Sequence, residues 1–288
     1  MRQPTDAGPT GLEPVLARVR DSLGSVPGVV ALALGGSRAR GTAYEDSDVD
    51  IGLYYEPARR PDFDELYAAA AELDDRGVPD GYGSYGEWGP WVNGGLWLQV
   101  AGKRMDILLR DTARVRRVLQ ECADGEVDVF YQVGHPHGFC SASYAGEVHH
   151  NVGFFDPGGT LAALRELTEP YPEPLGRAIT RRFAWEAGFT LDSAGSAARR
   201  GDAAYVSGCA FRVIACLTQV VFAAERRYLT NEKGSVALAD RFSSAPPGYG
   251  DRVAAAVTRL SGSPEELTAV LTTLRSLHEA VLARVGHL

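Results

Sequence analysis

A short apolar run, a glycine-rich turn and a strand that carries two aspartates follow one another within residues 28–55. The first segment, GVVALALGG, predicts a buried strand, because a short continuous apolar stretch between glycines is typical of one. In SDVDIGLYY, Asp48 and Asp50 alternate with apolar residues, which predicts a half-buried strand with both carboxylates on its polar face. The chain is therefore expected to form a sheet in which the turn at 35–37 stands beside two acids.

A third carboxylate lies on a hairpin that the sequence predicts over 96–109. The segment LWLQVAGKRMDILLRD contains two strand-like runs joined by alanine and glycine, and Asp106 falls in the second run. If this strand pairs beside the strand of aspartates, Asp106 joins Asp48 and Asp50. Three oxygen donors suit Mg²⁺, which completes its shell with water and substrate phosphates. Two such ions can activate an attacking oxygen and stabilise a leaving one in phosphoryl or nucleotidyl transfer.

The turn between the two strands has the composition of a phosphate-binding loop. Glycines allow the backbone to approach an anion closely. Exposed backbone N–H groups, together with the Ser37 hydroxyl, can hold a triphosphate tail. The residues thus predict a site for a metal-bound nucleoside triphosphate.

The stretch GGSRARGTAYEDSDVDI, residues 35–51, resembles the GS, spacer, SDxD signature of the polymerase-beta-like nucleotidyltransferase superfamily. The segment RMDILL resembles the strand that carries the third carboxylate in that superfamily. The helical half of the chain resembles the substrate-binding bundle of its antibiotic-modifying branch, which includes aminoglycoside and lincosamide nucleotidyltransferases. This resemblance implies antibiotic resistance as the role. It also implies transfer of a nucleoside monophosphate, expected to be AMP, from a Mg²⁺-bound nucleoside triphosphate to a hydroxyl of a small-molecule acceptor, with release of pyrophosphate.

The same resemblance assigns roles to the residues of the signature. Gly36 and Ser37 would bind the triphosphate. Asp48, Asp50 and Asp106 would hold two Mg²⁺ ions. The catalytic machinery would therefore be carboxylates on two strands, beside a turn for the phosphates.

Two further assignments come from the resemblance. Asp106 would take the acceptor proton, and Glu87 competes for this role because some antibiotic-modifying members use a glutamate outside the aspartate strand. We prefer Asp106, which lies in a predicted strand, whereas Glu87 lies in an aromatic loop. Lys233, one of only two lysines in the chain, would reach the phosphates from the second domain.

The character of the sequence changes near FFDPGG from mixed α and β patterns to helical ones. We therefore expect an α+β protein. A nucleotidyltransferase catalytic domain, a small mixed sheet with helices, would occupy residues 1–155, and an all-α substrate-binding helix bundle would occupy residues 156–288. The helices of this bundle are predicted over 172–201, 202–229 and 263–288.

Composition limits the partners of the protein. A formal net charge of −8 argues against a broad grip on nucleic acid, which needs clustered Lys and Arg, and would suit a cationic acceptor. The N-terminus is polar and no apolar run nears about 18 residues, so we expect neither a signal peptide nor a membrane span, and a cytoplasmic location. The cysteines lack metal-site spacing and are expected to be reduced core residues, at Cys122, Cys140, Cys209 and Cys216.

Several alternatives stay open at this point. The acceptor could be a tRNA or a protein side chain, as in nucleotidyltransferase toxins that resemble this signature. A nucleotide-binding regulator without turnover, and a homodimer that builds its site from two chains, are also compatible with the sequence.

The aromatic loop at 77–95 contains GYGSYG, which formally matches the dinucleotide motif GxGxxG. That motif should follow a strand and open a helix, but a proline precedes this one and EWGPW follows it. Trp88, Trp91 and Trp97 either line an acceptor or base pocket or pack as ordinary core residues.

Overall fold

The structure is a computed structural model that describes residues 11–260 and 262–286. Most of the polar N-terminal segment from which the sequence argues against a signal peptide, residues 1–10, lies outside the described residues. The same holds for the end of the last predicted helix, residues 287 and 288.

The chain forms two compact units, and each is built from two separate stretches of sequence. The first comprises Met1–Gln120 and Tyr144–Pro170, and the second comprises Glu121–Ser143 and Tyr171–Leu288. The sequence analysis places a single boundary after residue 155, whereas the chain leaves the first unit at residue 120 and returns to it at residue 144.

A six-stranded mixed sheet is the centre of the first unit. The strand order is β3-β4-β5-β2-β1-β8; β2 and β5 run parallel, and all other neighbours are antiparallel. A separate two-stranded ladder of β6 and β7 belongs to the second unit. The strands are β1 (Val29–Leu34), β2 (Val49–Tyr55), β3 (Gly81–Gly83), β4 (Gly95–Val100), β5 (Lys103–Asp111), β6 (Val129–Phe130), β7 (Phe139–Cys140) and β8 (Val152–Phe155).

Helices α1 (Glu13–Leu23) and α3 (Phe63–Leu73) cover one face of this sheet with their apolar sides. Helix α3 begins where the Asp62 side chain accepts hydrogen bonds from the first free backbone N–H groups of the helix. The core between these helices and the sheet contains alternate residues of the central strands, among them Val49, Ile51 and Leu53 of β2. The opposite face of β2 therefore carries the polar residues.

The remaining helices of the chain before residue 171 are short or connect the two units. A single 3₁₀ turn spans Pro57–Arg59. The helices are α2 (Gly36–Ala39), α4 (Gly89–Val92), α5 (Thr112–Ala123), α6 (Ser143–His150) and α7 (Thr160–Arg165).

The second unit is mainly helical. Three long helices pack on one another, as the sequence predicts, and the β6–β7 ladder makes this unit helical rather than strictly all-α. Ser263 and Glu266 form a capping box at the start of the last helix, which satisfies two free backbone N–H groups. The helices are α8 (Glu173–Arg199), α9 (Ala203–Ala224), α10 (Ser235–Ala239), α11 (Tyr249–Thr258) and α12 (Pro264–Val285).

Helix α9 is long and apolar enough to cross a membrane by length and composition, but two thirds of its most apolar window is buried inside the protein. It is the core helix of the second unit. Its cysteines, Cys209 and Cys216, are buried and unpaired, as are Cys122 and Cys140. Burial raises the pKa of the Cys122 thiol to about 12, so it is protonated, which agrees with the predicted reduced core cysteines.

Candidate active site

Asp50 of β2 and Asp106 of β5 are direct neighbours across two parallel strands. Residues that pair in register point to the same face of a sheet, so both carboxylates lie on the polar face. The predicted hairpin strand therefore does pair beside the aspartate strand. Pairing continues along the two strands with Tyr54 opposite Arg110.

Asp48 differs in position from the sequence expectation. Strand β2 begins at Val49, so Asp48 precedes the strand instead of forming part of its polar face. Its Oδ1 atom lies 2.7 Å from Nε of Arg104, which makes an ion pair. The two groups are not aligned as a hydrogen bond, and Oδ1 is buried without a hydrogen-bond donor.

Negative charge accumulates at this end of the sheet. Burial, together with the nearby charges of Asp106 and Asp48, raises the pKa of Asp50 to about 6, while Arg40 acts in the opposite direction. The raised pKa shows that ionisation of Asp50 is unfavourable, because the surrounding protein groups do not fully compensate the charge of its carboxylate. The site is thus one that a bound cation would stabilise.

The glycine turn packs directly against these acids. Gly35 donates its backbone N–H to the Asp50 carbonyl over 2.8 Å, which places the turn next to β2. Gly36 has a φ of 60°, and a Cβ atom added there would overlap the Asp50 carboxylate. Ser37, the third residue of the turn, is half-buried. The structure thus brings Gly36, Ser37, Asp50 and Asp106 together.

Arg38 is a positioning residue that the sequence analysis missed. Its side chain is buried and donates hydrogen bonds to the backbone carbonyls of Asp48 at 3.1 Å and Ser47 at 2.5 Å. A third bond reaches the Glu45 carbonyl. These bonds hold the loop that leads into β2, and an arginine between two glycines in the sequence gives no local signal of this role.

A second missed feature is the buried ion pair between Arg110 and Glu147. The two side chains form two parallel hydrogen bonds of 2.7 and 2.9 Å, and Arg110 is only 6% exposed. Arg110 lies four residues after Asp106 and on the same face, so strand alternation could have placed it there. Its partner Glu147 lies on α6, a helix that the sequence analysis did not predict.

Two other predicted residues belong to other segments of the chain. Glu87 is exposed in the turn after β3, where its carboxylate accepts a hydrogen bond of 2.7 Å from the Ser84 backbone. Lys233 lies in the second unit, is exposed, and donates its backbone N–H to Asn231.

The donor set suits a hard divalent cation. Within the part of the chain that the structure describes, no three His, Cys, Asp or Glu side chains are already arranged around a metal position. The chemistry of the site nevertheless fits Mg²⁺, because Asp50 and Asp106 pair on the same face of adjacent strands and Asp48 Oδ1 is a buried oxygen without a hydrogen-bond donor. Asp48 would have to exchange its ion pair with Arg104 for the metal.

In a comparison with known protein families, the segment that contains this turn and β2 matches a family model. Residues 16–85 match the family model described as a nucleotidyltransferase domain. The chain carries a nucleotidyltransferase domain. The protein is thus a nucleotidyltransferase enzyme of mixed α+β fold, and its domain includes the turn at 35–37 and Asp50.

Other comparisons concern the rest of the chain. Residues 141–233 of this nucleotidyltransferase match a second family model, a domain of unknown function (DUF4037). No match is found among curated protein sequences.

Two solved structures are similar to the nucleotidyltransferase over nearly its full length. A nucleotidyltransferase-like protein from Exiguobacterium sibiricum is 11% identical, with a TM-score of 0.47, over 96% of this chain and 78% of that one. The CdnE cyclic dinucleotide synthase of Elizabethkingia meningoseptica, solved with GTP and Apcpp, is 13% identical, with a TM-score of 0.26, over 99% of this chain and 93% of that one.

Proposed function

We propose that the protein transfers a nucleoside monophosphate, AMP by expectation, from a nucleoside triphosphate to a hydroxyl group of a small-molecule acceptor and releases pyrophosphate. The observation that carries this proposal is the Asp50–Asp106 pair beside the closely packed backbone of Gly36. A glycine turn next to paired carboxylates suits a triphosphate that binds with its metal ions.

Asp48, Asp50 and Asp106 would hold two Mg²⁺ ions, which supply neutralisation of the triphosphate charge and activation of the attacking oxygen. The raised pKa of Asp50 supports this assignment, because it reflects charge that the protein leaves uncompensated. In the turn, the Gly36 backbone and the Ser37 hydroxyl bind the phosphate chain and hold the α-phosphate near the carboxylates.

Asp106 accepts the proton of the acceptor hydroxyl in this proposal. It is the neighbour of Asp50, whereas Glu87 follows β3, which is three strand spacings from β2, or roughly 14 Å. The Glu87 carboxylate also accepts a hydrogen bond from the Ser84 backbone N–H. Lys233 is proposed as a point charge for the phosphates, a role for which a lysine is suited.

The first unit is proposed to bind nucleotide and metal and the helical unit to contribute to acceptor binding. An aminoglycoside-like polycation is the acceptor that the net charge of −8 favours. A cytoplasmic location and a possible homodimer stay predictions from the sequence.

A labelling experiment tests the reaction. The protein is incubated with Mg²⁺, a bacterial lysate and each nucleoside triphosphate labelled at its α-phosphate, and small molecules, RNA and protein are then separated. We expect new label in the small-molecule fraction. Label on RNA or protein would replace the proposed acceptor with a macromolecule. Nucleotide binding without transfer to any fraction would indicate a regulator instead of an enzyme.

The matched control for this assay uses two aspartates that are close in sequence, Asp50 in β2 and Asp46 in the loop before it. Asp50→Asn should lose all transfer, whereas Asp46→Asn should retain it, because Asp46 is exposed and precedes the strand by three residues. Equal activity in both variants would contradict the role of Asp50.

A further inference from the structure

Trp97 lies in line with the two carboxylates across the sheet. On β4 it pairs directly with Asp106 of β5, which in turn pairs with Asp50 of β2. Residues paired in register share a face, so Trp97, Asp106 and Asp50 project from the same face of three consecutive strands. The Gly35 N–H on the other side of Asp50 extends this line to the glycine turn.

Glycines on β3 and β4 leave space for the indoles of Trp97 and Trp88. Gly81 lies opposite Trp97 on β3, and a Cβ atom there would come within 2.5 Å of the indole ring. Trp88 lies in the same way over Gly83 and Gly95, where added Cβ atoms would overlap or crowd its ring. The first two glycines of GYGSYG thus make room for two indoles, a structural role that needs no dinucleotide.

The two indoles form a stacked pair with an accessible surface. Their ring centroids are 5.2 Å apart with an interplanar angle of 26°. Trp97 is 48% exposed, although it is a large aromatic residue in the middle of a strand. Trp91, by contrast, packs edge-on against Tyr144 and serves the structure of the unit. An exposed indole that is stacked on a second indole, on the strand next to Asp106, is suited to stack against a planar ring.

The position of the pair indicates which substrate it serves. The glycine turn, proposed to hold the triphosphate, is on the β1 side of Asp50, and Trp97 is on the opposite side, beyond Asp106. Asp106 is the residue proposed to take the acceptor proton. A group that stacks on Trp97 would therefore lie on the acceptor side of the reacting centre.

We propose that Trp97, supported by Trp88, is the binding platform for the acceptor. The acceptor would then carry a planar ring near its reactive hydroxyl, in addition to the positive charge that the proposed function favours. This inference rests on the proposed function for the direction of the reaction. The stacking site itself depends only on the geometry of the β3–β4 hairpin.

Binding measurements on the full-length protein test the platform. The probes are para-nitrophenyl glucoside and indoxyl glucoside, with methyl glucoside as the ring-free match, and a Mg²⁺-bound non-hydrolysable nucleoside triphosphate analogue. We expect Trp97→Ala to weaken binding of both aryl glucosides about tenfold, as loss of one stacking partner does. Binding of the nucleotide analogue should stay unchanged.

Three further variants act as controls. Trp97→Phe keeps an aromatic ring and should retain most of the aryl glucoside affinity. Gly81→Ala keeps both tryptophans in the chain but displaces the Trp97 ring, and should weaken binding in the same direction as Trp97→Ala. Trp185→Ala removes another exposed tryptophan, on α8, and should change nothing. Circular dichroism and thermal unfolding confirm that each variant is folded.

Each outcome decides the proposal. Weaker nucleotide binding in Trp97→Ala would overturn it, since the platform would then hold the nucleobase. Equal binding of aryl and methyl glucosides, absence of aryl glucoside binding, or unchanged aryl glucoside binding in Trp97→Ala would also overturn it. Asp50→Asn separates the two hypotheses: aryl glucoside binding that persists in this variant, with no transfer by the wild type, would support the platform and refute the proposed reaction.

Discussion

Gly36 packs so closely against Asp50 that any side chain at Gly36 would overlap the Asp50 carboxylate. The backbone of Gly36 also has a φ of 60°, a conformation that costs other residues about 1 kcal/mol or more. Glycine is therefore required at position 36 for two reasons: the backbone conformation, and the closeness of the Asp50 carboxylate. This relationship ties the turn and the carboxylate into one structural element.

Gly36→Ala is expected to displace the Asp50 carboxylate and to lower kcat/KM for nucleotidyl transfer about a hundredfold, since a displacement of about 1 Å at a reacting centre has effects of that size. The measurement is transfer rate, together with the melting temperature. Gly35→Ala is the matched control, because a Cβ atom there has its nearest contact at 3.7 Å and the backbone φ is −118°. Similar losses in both variants would contradict this explanation.

Asp50→Asn is expected to stabilise the metal-free protein while it abolishes transfer. The substitution removes a charge that burial and the neighbouring Asp106 make unfavourable. In metal-free buffer near pH 8, the free energy of unfolding should rise by about 1 to 3 kcal/mol. Chemical denaturation with and without Mg²⁺ measures this, and Mg²⁺ should stabilise the wild type more than the variant. A less stable variant without metal would show that Asp50 has a structural role.

Glu147→Ala should destabilise the first unit, because it leaves the buried Arg110 guanidinium without its carboxylate. Removal of one partner of a buried ion pair lowers the free energy of unfolding by about 3 kcal/mol. Because Glu147 is partly exposed, we expect a loss no larger than this. Urea denaturation gives the change in free energy. Asp192→Ala breaks the exposed pair with Arg275 and should cost less than about 1 kcal/mol. Equal effects would mean that the Arg110 pair is solvated.

Asp74 is expected to make the protein sensitive to acid. Hydrogen bonds from the Arg76 side chain, and with them one from the Gln99 backbone N–H, lower the pKa of the buried Asp74 to about 2 against the effect of burial. The folded state thus binds this proton less readily than the unfolded chain. The resulting stabilisation, about 2 kcal/mol, is complete above about pH 4 and is lost as the pH falls to about 2.

Unfolding free energies measured between neutral pH and pH 2 check this. Asp74→Asn should be less stable than the wild type at neutral pH, and the two curves should converge at the acid end. Asp46→Asn, at an exposed position, should follow the wild-type curve throughout. A constant difference between Asp74→Asn and the wild type would assign the effect of Asp74 to packing.

Local periodicity accounts for what could be predicted of the catalytic part of the chain. Apolar residues that alternate with Asp50 indicate a strand with one polar face, and the alanine-glycine turn indicates the hairpin that carries Asp106. These patterns depend only on residues that are neighbours in the sequence, so they can be recognised without knowledge of the fold. The predicted strands and long helices agree with the structure for this reason.

Contacts between distant segments could not be predicted in the same way. Asp48 was expected on the strand face, but it precedes β2 and pairs with Arg104, which lies more than fifty residues away in the sequence. The bonds of Arg38 to the loop before β2, and the partner of Arg110 on α6, depend on packing that no local pattern encodes. The return of the chain to the first unit at residue 144 is of the same kind.

By itself, the sequence determined the nature of the site: a glycine turn followed by a serine, a strand with an acid on its polar face, and a second acid on a hairpin strand. Only the tertiary structure decided the arrangement, since the parallel pairing of β2 with β5 places Asp50 opposite Asp106, and the antiparallel pairing of β5 with β4 adds Trp97 to the same line. The physical reason is that side-chain alternation sets which face a residue occupies, whereas strand register, set by long-range packing, decides which residues meet.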